Sequence, residues 1–286
     1  MSSTNSGIAN NRILITRTTV VLGLFFTAWR AYCHDLVPQL EHPVLFRSGY
    51  NLSYWLTRCC GADQWLLQRP ARAWTLIGIL CGSGLLLLWR PRRRLWAFLF
   101  AISYLFHTII FNLYLCQTSH VQAGFVMLFW SFCASSDERF AQWWRVMRYY
   151  VCYIFFTAFL WKLNYGSLWH WRDGELFFRE HAAPYLFWHP HTSLAGLYRY
   201  LLQHPVWLNA GEKMIFLCQG LFVTGFFTRN YDRAFIVFLL SFILLLAVLG
   251  HHFFIEFIVL ILPLMRPGDW ERLKRTDIQA VNYSTT

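Results

Sequence analysis

Residues 234–249 read AFIVFLLSFILLLAVL, sixteen consecutive positions without a charge and with a single hydroxyl, at Ser241. The apolar character resumes after Gly250-His251-His252 and continues to residue 265. As one helix, the 32 residues from 234 to 265 would exceed the hydrocarbon thickness of a bilayer by about a third. The pattern therefore predicts two membrane-spanning helices joined by a tight turn at Gly250.

The composition of the whole chain agrees with this prediction. Of the 286 residues, 57% are hydrophobic and only 14% are charged, whereas soluble domains carry about 25% charged residues. The net charge of +11 comes mostly from arginines clustered between apolar runs, which is typical of topology signals and of contact with anionic lipids. A soluble basic face is missing, so nucleic acid is not an expected partner. The polar N-terminus lacks the pattern of a removable signal peptide.

Eight apolar runs predict an all-α, polytopic transmembrane bundle of about eight helices. They cover residues 13–33, 74–89, 95–115, 121–134, 146–162, 214–228, 234–249 and 253–265. We expect a polar N-terminus over residues 1–12, a transmembrane domain over residues 13–273 and a tail over residues 274–286. Two long connections lie at about residues 34–73 and 163–213. The second is rich in tryptophan and tyrosine, which favour the membrane interface, so it is expected to form short amphipathic helices.

Arginine density gives the expected orientation. Basic segments lie after the second, fourth, sixth and eighth runs, so all of them can face the cytoplasm together with both termini. Arg148, at the edge of the fifth run, belongs to this set. The two long connections then face outwards from a plasma or inner membrane. Arg17 and Arg30, inside the first run, are expected to snorkel to opposite faces.

Five ionisable residues lie at helix ends that this topology places at the outer face. His120 begins the fourth run, Lys162 ends the fifth, Glu212 precedes the sixth, and His251 and His252 occupy the turn before the eighth. Such groups are costly at membrane depth and are candidate site residues for that reason. Ordinary alternatives exist: the lysine can snorkel, the histidines can cap helices or anchor at the interface, and the glutamate can complement the dipole of a first helical turn. No HxxxH-type spacing links the histidines, so no metal is expected.

A family resemblance follows from the residues around Lys162. Residues 153–163 read YIFFTAFLWKL and are followed by Trp169 and by Trp171-Arg172-Asp173-Gly174. This order of a small residue, Lys-Leu, Trp and Trp-x-x-Gly resembles the signature of HTTM (horizontally transferred transmembrane domain) proteins, relatives of the membrane part of vitamin K-dependent γ-glutamyl carboxylase. Ser119-His120, residues 249–252 (LGHH) and residues 267–273 (PGDWERL) are similar to other parts of that family. The resemblance covers roughly residues 13–273.

The resemblance implies a carboxylase- or epoxidase-like enzyme that acts at the outer face. In the carboxylase, the lysine matching Lys162 is taken as the base that deprotonates vitamin K hydroquinone, and the histidine matching His120 belongs to the same site. By this analogy Lys162 is the base, His120 and His251 or His252 position or relay protons, and Glu212 orients the lysine. An amine at the end of an apolar helix loses hydration, which lowers its pKa and makes it a usable base near neutral pH.

The cofactor implied by the resemblance is a quinone or hydroquinone that enters from the bilayer and stacks on aromatic rings. Trp161, Trp169 and Trp171 are the candidate cofactor-binding residues. The sequence departs from the carboxylase after Lys-Leu, where Asn164 and Tyr165 replace the family's acidic residues. Substrate identity, whether a peptide or a small molecule, and retention of carboxylation are therefore left open.

Two other functions stay open on the sequence alone. One is a non-catalytic membrane partner for the processing, export or immunity of a secreted peptide. The other is a transporter, although the sequence lacks the internal repeats and paired broken helices typical of transporters. Replacing Lys162 by alanine separates an enzyme from a partner, because only catalysis depends on that amine.

Overall fold

The computed structural model describes residues 7–34, 36–39, 57, 59–115, 123–127, 136–249 and 255–273. Within these ranges every regular element is helical, which confirms the predicted all-α class. The longer helices are α1 (Arg12–Tyr32), α2 (Pro70–Trp89), α3 (Arg94–Leu115), α4 (Asp137–Asn164), α5 (Asp173–Trp188), α6 (Ser193–Gln203), α7 (Pro205–Leu221) and α8 (Asp232–Leu249). The chain divides into two compact units, the first made of residues 1–147 and 256–286 and the second of residues 148–255.

Among the described residues, four segments are long and apolar enough to cross a membrane: Arg12–Gln39, Pro70–Trp89, Arg94–Phe111 and Asp232–Leu249. They correspond to the first, second, third and seventh apolar runs. In α8 the most apolar window has a mean hydropathy of 2.4, yet only 17% of it is buried. Apolar surface exposed on this scale is typical of a helix whose solvent is lipid.

Three other runs take forms that the sequence did not predict. Helix α4 has 28 residues, carries charges in its first half and is not among the four candidate spans. Helix α7 begins at Pro205, nine residues before the sixth run, and continues as the 3-10 helix Phe222–Phe226. The eighth run is broken into Ile255–Phe257, Ile258–Ile261 and Leu262–Leu264. Pro263 explains the last change, because it cannot donate a helical hydrogen bond. Most of the fourth run and the turn at Gly250 lie outside the described residues.

In the first unit, α2 and α3 pack as a hairpin joined by residues 90–93, and α1 packs on α2. Glycine makes this packing close. A Cβ on Gly84 would lie 2.9 Å from Leu24 Cδ2 and 3.1 Å from the Phe100 ring, and a Cβ on Gly23 would lie 2.8 Å from the same ring. Small residues that let helix backbones approach are typical of packing between membrane helices.

In the second unit, residues 163–213 form two complete helices, α5 and α6, and the start of α7. Helix α5 meets α7 at Gly174, where a Cβ would lie 2.4 Å from the Leu208 carbonyl oxygen. The Glu175 backbone N–H, in the first turn of α5, donates to Asn209 Oδ1 at 2.8 Å. The glycine of the Trp-x-x-Gly motif is thus needed for close packing of two helices.

Candidate functional site

Lys162 lies in the last turn of α4, outside the four candidate spans, and its side chain is half-buried. Burial lowers the pKa of Lys162 below its ordinary value, because a poorly hydrated amine disfavours the charged form. The Glu212 carboxylate opposes this shift in pKa, and the Lys213 ammonium adds to it. The structure therefore places Lys162 and Glu212 within electrostatic range of each other and adds a second lysine that the sequence analysis missed.

Glu212 is not in a first helical turn, as the sequence had suggested. Because α7 begins at Pro205, Glu212 is the eighth residue of the helix, too far from its N-terminus for the dipole to explain it. The Lys213 ammonium lies 2.8 Å from Glu212 Oε2 and supplies the nearby positive charge. The expectation failed because α7 begins nine residues before the apolar run that was used to place the helix.

Lys213 joins α7 to the loop that carries two of the candidate tryptophans. Its ammonium donates to the Ser167 carbonyl and, at 2.8 Å, to the His170 carbonyl. Only 8% of Lys213 is exposed, so these carbonyls and Glu212 stabilise a charge that would be costly to bury alone. A lysine directly after a glutamate at the edge of an apolar run was the sequence signal for this role.

The three candidate cofactor-binding tryptophans all present exposed rings. Trp161 is 54% exposed and packs on the Tyr165 ring with centroids 4.6 Å apart. Trp169 is 78% exposed and Trp171 is 51% exposed. Exposed indole rings present apolar surface on which a flat ring system can stack. That Trp161, Trp169 and Trp171 hold a quinone-like cofactor stays a prediction.

His120, His251 and His252 lie outside the described residues. Their closeness to Lys162 stays a prediction. Within the described ranges, no group of three or more His, Cys, Asp or Glu side chains could hold a metal ion.

Helix α7 buries polar side chains and exposes apolar ones. Its buried residues are Asn209, Lys213, Phe216 and Gln219. Its exposed large residues are Val206, Trp207, Met214, Leu217 and Leu221. This inverted pattern is typical of a helix that faces an apolar environment and keeps its polar groups for the protein interior. Glu212 and Lys213 are therefore carried by a helix suited to a membrane setting.

A second polar cluster, in the first unit, corrects the prediction for Arg30. Instead of snorkelling, Arg30 is buried and donates through Nε to Glu256 Oε1 at 2.8 Å. Its guanidinium also lies 4.4 Å from the Phe111 ring centroid. Tyr104 and His107 of α3 line the same small cavity. Sequence analysis overlooked Glu256, although a carboxylate inside an apolar run is itself a sign of a buried partner.

Arg148, counted above among the arginines that mark the cytoplasmic side, has a structural role in the second unit. Its guanidinium binds both oxygens of Asp232 at 2.6–3.1 Å and donates to the Gly225 and Thr228 carbonyls at 2.7 Å. Arg148 is 3% exposed and Asp232 is fully buried. This network ties α4 to the start of α8, because neither charge is stable in the interior alone.

No protein-family model, curated protein or solved structure matches the chain. The resemblance to HTTM proteins therefore stays a prediction carried by the motifs quoted above.

Proposed function

We propose that the protein is an HTTM-type membrane enzyme in which Lys162 acts as a general base on a hydroquinone-like lipid cofactor at the outer face. The observation that carries the proposal is the half-buried Lys162 amine, whose pKa is lowered by burial, beside the Glu212 and Lys213 charges. A positioned base with a pKa brought towards the working pH is the usual arrangement for proton abstraction.

Each residue of the cluster has a distinct task. The neutral amine of Lys162 accepts the proton, and the Glu212 carboxylate stabilises the ammonium that results. Lys213 keeps Glu212 in place and, as a neighbouring positive charge, keeps Lys162 from binding a proton too tightly. Its hydrogen bonds to the Ser167 and His170 carbonyls hold the loop that carries Trp169.

The bound cofactor supplies a phenolic proton of moderate acidity and a ring that dioxygen can oxidise. Trp161, Trp169 and Trp171 orient that ring by stacking. Carboxylation of a carbon acid in a peptide or a small molecule would require carbon dioxide and the strong base that such a cofactor would supply while dioxygen oxidises it. Carboxylation rests on the family resemblance alone, and it requires a substrate that binds next to the cluster.

The main alternative, a non-catalytic partner of a secreted peptide, is favoured by exposed aromatic rings in the second unit. Phe187 and Trp188, at the end of α5, are 74% and 73% exposed, and Trp207 in α7 is 69% exposed. Large exposed rings are typical of surfaces that bind peptides or the membrane interface. Such a surface would work without the Lys162 amine.

The experiment is an oxidation assay with full-length protein in lipid nanodiscs, supplied with vitamin K-type hydroquinone and dioxygen, with epoxide measured by chromatography. Lys162→Ala and Lys162→Arg should each lower the rate by about a hundredfold or more, the range expected for loss of a general base. Arginine is the sharper test, because it keeps the charge and cannot release its proton.

Lys274→Ala is the matched control, because it removes a lysine that the sequence predicts to lie in the tail after the last apolar run, and its rate should stay within twofold of the unchanged protein. Circular dichroism and gel filtration establish that each variant is folded. A wild-type rate no higher than that of empty nanodiscs, or full activity of Lys162→Arg, would reject the proposal in favour of the partner role.

A further inference from the structure

An open groove of about 750 Å³ lies in the first unit where α1 begins and α2 ends. It is lined by Ile13, Arg17, Arg90, Pro91, Arg92 and Arg93. Arg17 comes from the first turns of α1, and the other three arginines come from the turn between α2 and α3. Two segments distant in sequence therefore contribute positive charge to the same groove.

The positive charge of the groove is not neutralised by the part of the chain that the structure describes. Arg12 nearby pairs with Asp137 at 2.7 Å, but none of the four groove arginines has a carboxylate within ion-pair distance among the described residues. Four guanidinium groups around one groove repel one another, so a bound anion would stabilise the arrangement.

The chemistry of the lining favours phosphate. A guanidinium is a planar fork of donors that matches phosphate oxygens in a bidentate manner, and several arginines together match a ligand with more than one phosphate charge. Arg17 lies near the start of one candidate membrane span, and residues 90–93 connect two others. Span ends are where lipid headgroups are expected, so both segments suit contact with headgroups.

Apolar side chains flank the same groove. Ile13 in the lining is 37% exposed, Trp89 at the end of α2 is 71% exposed and Leu95 at the start of α3 is 60% exposed. Exposed apolar residues beside a basic groove suit a ligand with acyl chains better than a phosphate from solution.

We propose that the groove lined by Arg17, Arg90, Arg92 and Arg93 binds the phosphate groups of an anionic membrane lipid that carries two phosphates. This site belongs to the first unit and is separate from the Lys162 cluster. It does not depend on the proposed reaction, because it needs only the arginines and the ends of the membrane spans.

The test uses full-length protein in phosphatidylcholine nanodiscs with increasing cardiolipin, the two-phosphate probe, and counts the retained cardiolipin by native mass spectrometry. The double variant Arg92→Gln, Arg93→Gln should weaken cardiolipin binding about thirtyfold, since each basic residue near an anionic surface contributes roughly fivefold. Arg17→Gln, on a different helix, should weaken it about fivefold and provides a second test should the double variant misfold.

The matched control is Arg139→Gln, Arg145→Gln, which removes the same charge from the same unit outside the groove and should change binding by less than threefold. Sodium pyrophosphate in nanodiscs without cardiolipin separates a soluble phosphate ligand from a lipid. Equal losses in both double variants, no retention of cardiolipin by the unchanged protein, or pyrophosphate binding as tight as that of cardiolipin would overturn the proposal.

Discussion

At the scale of single residues, the use of lysine is selective. The chain has 25 lysines and arginines, but lysine occurs only at positions 162, 213 and 274. Two of these three belong to the candidate site. A buried amine can lose its proton near neutral pH, whereas a guanidinium stays charged. Lysine at position 162 therefore permits proton transfer that an arginine would prevent.

The electrostatics of the cluster predict opposite effects for its two neighbours. Glu212→Gln should lower the pKa of Lys162 further, since the carboxylate raises it, and Lys213→Met should raise that pKa, since the ammonium lowers it. Reductive methylation with carbon-13 formaldehyde gives each lysine an NMR signal that can be titrated. Because the pKa of Lys162 is lowered, its neutral amine forms at a lower pH than that of an ordinary lysine. A reaction rate that requires the neutral amine should therefore rise with pH and level off above the pKa of Lys162.

Glu180→Gln is the control for that titration, because it removes an exposed carboxylate of α5 in the same unit. Because Lys213→Met also leaves the Ser167 and His170 carbonyls without their donor, circular dichroism must show that this variant is folded. Coincident titration of all three lysines at the ordinary value of about 10.4, or no response to either substitution, would contradict the electrostatic account.

Some residues of the two polar clusters could be predicted from the sequence and others could not. Lys162 and Glu212 were predicted as neighbours because both were assigned to outer helix ends. Lys213 and Glu256 were missed although each is a charge at or inside an apolar run, since sequence position alone does not show which carbonyls or cations they face. Arg30 was assigned to snorkelling, because a single sequence does not show that a carboxylate 226 positions later lies next to it.

At the scale of helices, uninterrupted apolar runs predicted α1, α2, α3 and α8 well, because a membrane-spanning helix needs such a run. The apolar pattern placed the start of α7 too late, because Asn209, Glu212 and Lys213 interrupt the apolar pattern of a helix that begins at Pro205 and packs against α5. It also predicted a continuous eighth span, where Pro263 and local 3-10 geometry break the helix. Tertiary packing and proline overrode a hydrophobicity pattern in these two places.

The close contact between α5 and α7 predicts opposite outcomes for two glycines. Gly174→Ala should destabilise the protein by about 1–3 kcal/mol, since its Cβ would overlap the Leu208 carbonyl and overpacking costs that much. Gly196→Ala, in α6 with nothing within 4 Å, should stabilise it by up to about 1 kcal/mol through helix propensity. Thermal unfolding in detergent measures both, and a stabilising Gly174→Ala would show that the two helices are not in close contact.

At the scale of the whole molecule, the described chain is all-helical with several helices apolar enough to cross a membrane. The orientation follows from arginine density and stays a prediction. It has a direct test in three exposed free thiols, Cys33, Cys59 and Cys60, which lie in or beside the first long connection and should face outwards.

A membrane-impermeant maleimide added to intact cells should label these thiols before permeabilisation. The triple variant with serine at the three positions is the control and should lose most of the label. Labelling that requires permeabilisation would invert the topology and place the Lys162 end of α4 in the cytoplasm.

The central claim is that Lys162 meets a hydroquinone-like lipid in a cavity shared with the predicted histidines. The most direct measurement is a high-resolution electron cryomicroscopy structure in native lipid with added quinone. We predict a quinone headgroup within hydrogen-bond reach of Lys162 Nζ, with His120 and His251 or His252 around the same cavity. A quinone bound elsewhere, or a Lys162 side chain directed into lipid with those histidines on other sides of the bundle, would contradict the account.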